Sequence, residues 1–419
     1  MNNYCFAGAR AYVGSRFQEP ADFWVQKGKW VKGPLPDAHR VEAQGCWILP
    51  GLSALLVDFQ EPIRDDVYTL HDGFEAMHRG GFYSALYESA ANPLDDIQKL
   101  KAIRDACGKS GLEFHFLGAL SVDHAGKSLS EMLELASGGV VGFGDGDRFP
   151  TSLRFIRLAL EYAGMTGLRC FFQPLETSLM GKGCVHEGHY ADAFGIRGIP
   201  SQAETIAVHQ ILELAGWLKV PVHLKQITCR ESLSLLRLAR DRGIDVTCDV
   251  SVNHLLFDDS SLEALDTNMH LRPPLRTAED RTALWNALSD GTIQAISCAH
   301  VPVLPQDKET HFEDAQPGAV SLEIALAALL PEARQRLCGG EEALLTLLVD
   351  GPSRVLGLPP RTLAEDQNIP FLLYDPRVER KVQIQDFCGQ VHNSPLLGAK
   401  IQGKVLGDFF DGSWRPTAQ

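Results

Sequence analysis

Polar and apolar positions alternate in short runs over the first fifty residues: Tyr4–Ala9, Ala21–Gln26, Lys29–Val31 and Cys46–Leu49, separated by turn residues. Period-two runs of this length predict strands, and the Pro50-Gly51 break ends this β-rich opening. Beyond it the pattern changes. Apolar runs of strand length are each followed by helical spacing: Leu112–Leu117 then Ser128–Ala136, Gly139–Phe143 then Thr151–Ala163, Val220–Thr228 then Arg230–Asp241. Ile244–Val250 and Thr292–Ala299 predict further strands, and Val320–Leu330 predicts a long helix. Thr151 and Thr228 stand where N-caps are wanted, because a hydroxyl there accepts an unpaired amide of the first turn. After Leu358 strands return, at Ile369–Tyr374, Val382–Asp386, Gly398–Gln402 and Lys404–Phe410. Pro302–Pro317, with six ionisable residues between its prolines, predicts a mobile loop.

Strand–helix units in series, with strands apolar on both faces, imply a parallel sheet covered by helices. The expected fold class is α/β: a closed (β/α)8 barrel flanked by a small β-sandwich built from both termini. Residues 1–49 and 358–419 would supply the sandwich and residues 50–357 the barrel.

Composition narrows the function more than the fold. The net charge of −14 argues against a nucleic-acid or anionic-membrane surface, since both need a basic face. Ten cysteines are scattered singly with no C-x-x-C pair, which reads as reduced, partly buried thiols. The start MNNYCFAGARAYVG has neither a basic nor an apolar leader region, and no apolar run reaches membrane-spanning length. A cytoplasmic protein is expected.

Several motifs carry a resemblance. Pro50–Pro62 reads PGLSALLVDFQEP, and further segments are GFYSALYESAANP (Gly81–Pro93), VVGFGDGD (Val140–Asp147) and DVSVNHLLF (Asp249–Phe257). RPPLRTAEDR (Arg272–Arg281), QPGAVSLEIAL (Gln316–Leu326), GPSRVLGL (Gly351–Leu358) and the terminal NSPLLGAKIQGKVLGDFFDG complete the set. Together they resemble the type I dihydroorotases of the cyclic amidohydrolase superfamily, along nearly the whole chain. The resemblance implies a barrel flanked by a β-sandwich. It also implies an activity, making and breaking a cyclic amide with one or two zinc ions that polarise the carbonyl and supply a hydroxide. Such a site needs imidazoles and carboxylates converging at the C-terminal mouth of the barrel.

The family's donors are not at their positions. The H-x-H pair of P-G-L-x-D-x-H-x-H-x-R-E-P falls on Leu56 and Asp58, and the aspartate of F-S/T-D-D-G on Asp145. A carboxylated lysine in its place is excluded locally, because no lysine occurs between Lys127 and Lys182. The histidine of M-D-H-C-E-D falls on Gln173, that of H-V-H-I-x-H on Gln226, and the aspartate of T-D-H-A-P on Ala299. An amide oxygen binds zinc poorly beside imidazole or carboxylate. Residues implied to grip substrate have changed too. The arginine of H-L-R-E-P is Gln60, the asparagine of M-P-N-T is Ala90, and that of V-N-P-P is Arg272.

Fourteen histidines remain. His300 follows the missing aspartate and is expected at the barrel mouth, where it could line a ligand pocket. His223 lies three residues before Gln226; alternation counted from Gln226 sends it toward the helices as a packed structural histidine. His186-Glu187-Gly188-His189 reads as a polar surface loop rather than a metal motif. His209 borders the packed face of a helix, and His254 sits near the site. Asp58 is expected either neutral, or paired with Arg272 or another base in the vacated cavity.

These substitutions lead to the expectation of a chain that is not an enzyme and holds no cofactor, its zinc site lost. The resemblance then implies a partner subunit of aspartate carbamoyltransferase in pyrimidine synthesis, or self-association. Two alternatives are weighed beside it. One is a cyclic-amide hydrolase with an atypical or single metal, drawing on Asp145, His186, His189 and His300. The other is a metal-free binding protein for a small anion, with Arg272 as counter-charge.

Overall fold

The computed structural model describes residues 3–368 and 370–417, so Ile369 of the expected strand Ile369–Tyr374 lies outside them. Eight parallel strands form the barrel: β1 (Leu52–Val57), β2 (Phe82–Tyr87), β3 (Glu113–Gly118), β4 (Gly142–Gly144), β5 (Arg169–Phe172), β6 (Val222–Leu224), β7 (Val246–Ser251) and β8 (Ala295–Ser297), paired in chain order. Alternate side chains go opposite ways. Ala54, Val57, Ala85, Tyr87, Phe116, Cys170, Phe172, Val222 and Leu224 pack outward into the main core beneath the helices. Leu55, Leu86, Leu117, Phe171 and Ala295 fill the barrel interior. Gly142 on β4 leaves room for the Phe171 ring, since a Cβ there would come within 2.5 Å of it.

β1 and β8 meet through a parallel bridge between Val57 and His300, so the barrel closes. The second sheet draws on both termini. Trp47–Pro50 pairs antiparallel with Phe371–Tyr374 and joins the strands of the chain's start to Phe371–Lys381 and Lys400–Asp408. Its own small core holds Phe6, Phe23, Val25, Ile48, Phe371, Leu373 and Phe409.

Several expected elements shift. The helix Leu153–Gly164 is capped by Ser152, whose Oγ accepts from the Phe155 amide at 3.3 Å, not by Thr151. Thr228 does not cap Arg230–Asp241 either. Its amide (3.1 Å), the Cys229 amide (3.0 Å) and the Ser232 hydroxyl (2.7 Å) donate to the buried Glu204 carboxylate of the neighbouring helix Gln202–Leu218. Val382–Asp386 is a short 3-10 turn at Ile384–Asp386 rather than a strand. Gly398–Gln402 and Lys404–Phe410 merge into one strand across Gly403, whose φ of +111° and lack of a Cβ let the Tyr374 hydroxyl pass. The helix expected at Val320–Leu330 runs from Ala325 to Arg336, continuing past Pro331 at the loss of one backbone hydrogen bond. Pro302–Pro317 contains a helical turn, Pro305–Lys308, and buries Lys308, whose Nζ donates to Thr267 O at 3.0 Å. Among the described residues no helix is long and apolar enough to cross a membrane.

Glu204 offers a test of this packing. Glu204→Ala takes the acceptor from two buried amides and from the Thr228 and Ser232 hydroxyls, and is expected to lower stability by about 3 kcal/mol in urea unfolding. A loss below about 1 kcal/mol would show that these groups find other partners.

Candidate functional site

At the C-terminal ends of the strands lies a cavity of about 110 Å³. Seven of the expected positions converge on it: Leu56, Asp58, Ala90, Gln173, Gln226, Arg272 and Ala299. Gln60, Asp145 and His300 do not line it. The backbone explains which side chains arrive. Leu56 (φ 61°), Gln226 (φ 51°) and Ala299 (φ 45°) adopt the left-handed conformation at or just beyond the ends of β1, β6 and β8. A left-handed residue breaks the alternation of a strand and re-aims the next side chain.

That break corrects the placing of His223. Counting from Gln226 assumed an unbroken strand, but β6 ends at Leu224 and Gln226 lies past it. Val222 and Leu224 pack outward, so His223 faces the barrel interior, with Phe171 4.9 Å from its ring. It bonds Thr247 Oγ1 (2.9 Å) and Asp249 Oδ2 (2.8 Å), fully buried. Asp249 in turn accepts from the Gln226 amide at 3.2 Å and from the Ser297 hydroxyl at 2.5 Å. This polar layer supports the floor of the mouth.

His300 is also displaced from its expected place. Its backbone is committed to barrel closure, and its ring packs beside Tyr68 (5.4 Å) and Phe59 (6.2 Å), out of the cavity. Nδ1 faces the amides of Ser321 (3.3 Å) and Leu322 (3.4 Å), and burial pushes its pKa down to about 3. It is a neutral packed imidazole. Asp145 spends both oxygens on the β3–α loop, accepting from Leu120 N (2.8 Å), Ser121 N (2.9 Å) and Ser121 Oγ (2.5 Å). It faces an adjoining cavity of about 420 Å³ with His124 and Arg148. His186 sits on a two-residue strand paired with Gly198–Ile199, beside the Arg276 guanidinium (3.0 Å). Burial and then that cation lower its pKa, and the guanidinium both occupies the Nδ1 lone pair and would repel a metal ion. His189 and His209 are exposed, and buried His254 bonds Ser251 and Pro273 O.

Asp58 is the carboxylate that the mouth keeps. Its oxygens accept from the amides of Gln60 (3.1 Å) and Ala90 (3.2 Å). Burial pushes its pKa from 3.8 up to about 6, against the opposing pull of Ser89 and those amides. It does not pair with Arg272, which lies 3.4 Å from Asp147 on the wall shared by the two cavities.

Two residues that sequence reasoning passed over complete the mouth. Lys225, 1% exposed, donates to Glu88 Oε2 at 2.5 Å and to Gly146 O at 2.6 Å. Glu88 occupies the methionine position of M-P-N-T, and Lys225 the open position of H-V-H-I-x-H. The signal was there to find: opposite charges placed singly just past the ends of two mostly apolar strands.

No protein-family model matches the chain. Curated relatives do. A dihydroorotase of Geotalea daltonii is 31% identical over 390 residues, covering 92% of this chain and 91% of its own. One of Anaeromyxobacter dehalogenans is 33% identical over 382 residues, covering 90% and 88%. The chain belongs to the dihydroorotase family. Among solved structures, the L-hydantoinase of Arthrobacter aurescens superposes with a TM-score of 0.84 over 100% of this chain and 98% of its own, at 19% identity. The dihydropyrimidinase of Brevibacillus agri gives 0.79 at 18% identity over 98% and 94%. These confirm the barrel fold.

Membership of the dihydroorotase family overturns two expectations. Its named relatives are enzymes, so the expectation of a non-enzyme is corrected. The family's ring chemistry uses bound metal, so the expectation of no cofactor is corrected as well. The residues at the family's own positions nevertheless do not fit a metal. Leu56 and Ala299 offer no donor, Gln173 and Gln226 only amides, and both Asp145 oxygens are engaged elsewhere. Glu88, which lines the same cavity, is paired with Lys225 at 2.5 Å and so is not a free carboxylate for a cation. Among the described residues no three His, Cys, Asp or Glu side chains converge as a metal group.

Asp58 gives the pH test. Its folded pKa lies above its unfolded one, so the native state holds the proton longer and wild type loses stability as pH rises from about 4 through 6. Asp58→Asn removes that dependence. The variant is expected to gain about 2.5 kcal/mol relative to wild type between pH 4 and pH 8, read from urea midpoints. A difference constant across that range would contradict the buried-acid reading.

Proposed function

We propose that the protein is a cyclic-amide hydrolase of the dihydroorotase class, working in the cytoplasm through an atypical site at its barrel mouth. The observation that carries this reading is the relation to dihydroorotases over nine-tenths of the chain. Ring opening adds water across the amide: a C–O bond forms, the C–N bond breaks, and the ring nitrogen leaves with a proton. Asp58 is the group placed to take the proton from water and return it to that nitrogen. It lines the cavity, and its pKa near 6 lies close to working pH. Arg272, at the rim, is the group placed to receive a substrate carboxylate in exchange for Asp147.

Turnover is tested by following dihydroorotate and its ring-opened acid chromatographically, with zinc supplied during expression and assay. Asp58→Asn is expected to lower kcat about 100-fold or more. Failure of wild type to turn over either compound would defeat the reading.

Association with aspartate carbamoyltransferase is proposed separately, from the resemblance of the sequence. What supports it is a complete barrel and terminal sheet kept around a mouth whose donors have changed. Co-expression with the transferase is expected to yield a mixed oligomer. Separate elution of the two proteins at micromolar concentration would count decisively against it.

A further inference from the structure

The Lys225–Glu88 pair is built into the mouth rather than laid over it. Glu88 comes from the end of β2 and Lys225 from just past β6, so they meet across the barrel. The end of β4 makes room for them. A Cβ on Gly144 would come within 2.5 Å of Glu88 Oε1, and the Gly146 amide donates to that same oxygen at 3.1 Å. Gly146 O then takes one Lys225 proton and Glu88 Oε2 another. An ammonium has three N–H donors. Two are engaged, which leaves one free, and Lys225 is among the residues that line the cavity.

Gln173 is the second observation. Its side chain is 3% exposed and lines the same cavity, and its Nε2 has no hydrogen-bond partner. An unmatched buried donor is costly unless something accepts from it. The mouth therefore holds two donors awaiting an acceptor. The ion pair beside them is neutral as a unit, so the deep end of the cavity suits a neutral acceptor rather than a second carboxylate. Arg272, with its side chain 34% exposed, serves the rim instead.

We propose that Lys225 and Gln173 form a paired donor site for the ring carbonyl oxygen of a small cyclic amide. The inference rests on the reading of the mouth as a cyclic-amide site and names the groups that recognise the ring. Lys225 faces the carbonyl as a fixed cation held by Glu88, and Gln173 supplies the second hydrogen bond.

Equilibrium binding by calorimetry separates this from turnover, with dihydroorotate and dihydrouracil as probes, the second lacking the carboxylate. Gln173→Leu leaves the ion pair intact. A double variant, Lys225→Met with Glu88→Gln, removes the cation without stranding a buried carboxylate. Each is expected to weaken both probes about tenfold or more, with the fold verified by near-ultraviolet circular dichroism. Arg272→Gln should weaken dihydroorotate alone. If both donor variants bind the probes as wild type does, or wild type binds neither probe at millimolar concentration, the proposal is overturned. Donor-dependent binding without turnover would end the hydrolase reading and leave this one standing.

Discussion

Two reciprocal backbone hydrogen bonds, Asp58 N to His300 O and His300 N to Leu56 O, each 3.0 Å, close the barrel between its first and last strands. Closure removes the free strand edges that an open parallel sheet would expose. It also sets the mouth. Leu56 turns left-handed to present its carbonyl to His300, and Asp58 follows with its carboxylate over the cavity. His300 is drawn out of reach behind Phe59 and Tyr68. One backbone junction thus decides which of two adjacent polar side chains faces a ligand.

The electrostatics of the mouth run opposite to those the family pattern implies. Imidazoles and carboxylates at these positions would offer lone pairs to a cation. Here a fixed ammonium and an amide N–H offer protons to an acceptor. Burying such a cation is expensive unless a partner and further hydrogen bonds meet it. Glu88, Gly146 and the space left by Gly144 together supply that. A pair held this closely on three strands differs from a stray surface charge: removing either member would strand the other in a low-dielectric site.

Much of this was legible in the chain. Alternating apolar runs separated the terminal sheet from the barrel, and the helix Arg230–Asp241 and the strands Ala21–Gln26 and Lys29–Val31 sit where the pattern puts them. The seven mouth-lining positions followed from aligning motifs with a known family. What failed did so for local reasons. His223 was misplaced because periodicity presumes an unbroken strand, and the left-handed turn at Gln226 is invisible to it. Thr228 reads as a cap in the sequence because its competitor, Glu204, lies on another helix. Glu88 and Lys225 escaped notice because each is a lone charge, and only the fold brings them to 2.5 Å.

The left-handed residues carry the last step. A non-glycine residue in that region costs on the order of 1–3 kcal/mol and persists only where surroundings over-determine it. Neither the leucine, the glutamine nor the alanine at these places favours that conformation. Barrel closure dictates it at Leu56, and at Gln226 the Asp249 carboxylate takes the amide that the turn exposes. The shape of the mouth is therefore a property of backbone and supporting layer, independent of the side chains displayed on it. That independence explains how a chain can superpose on a hydantoinase at a TM-score of 0.84 with 19% identity. The frame fixes where groups point, and the identity of those groups decides whether the mouth asks for a cation or for an oxygen.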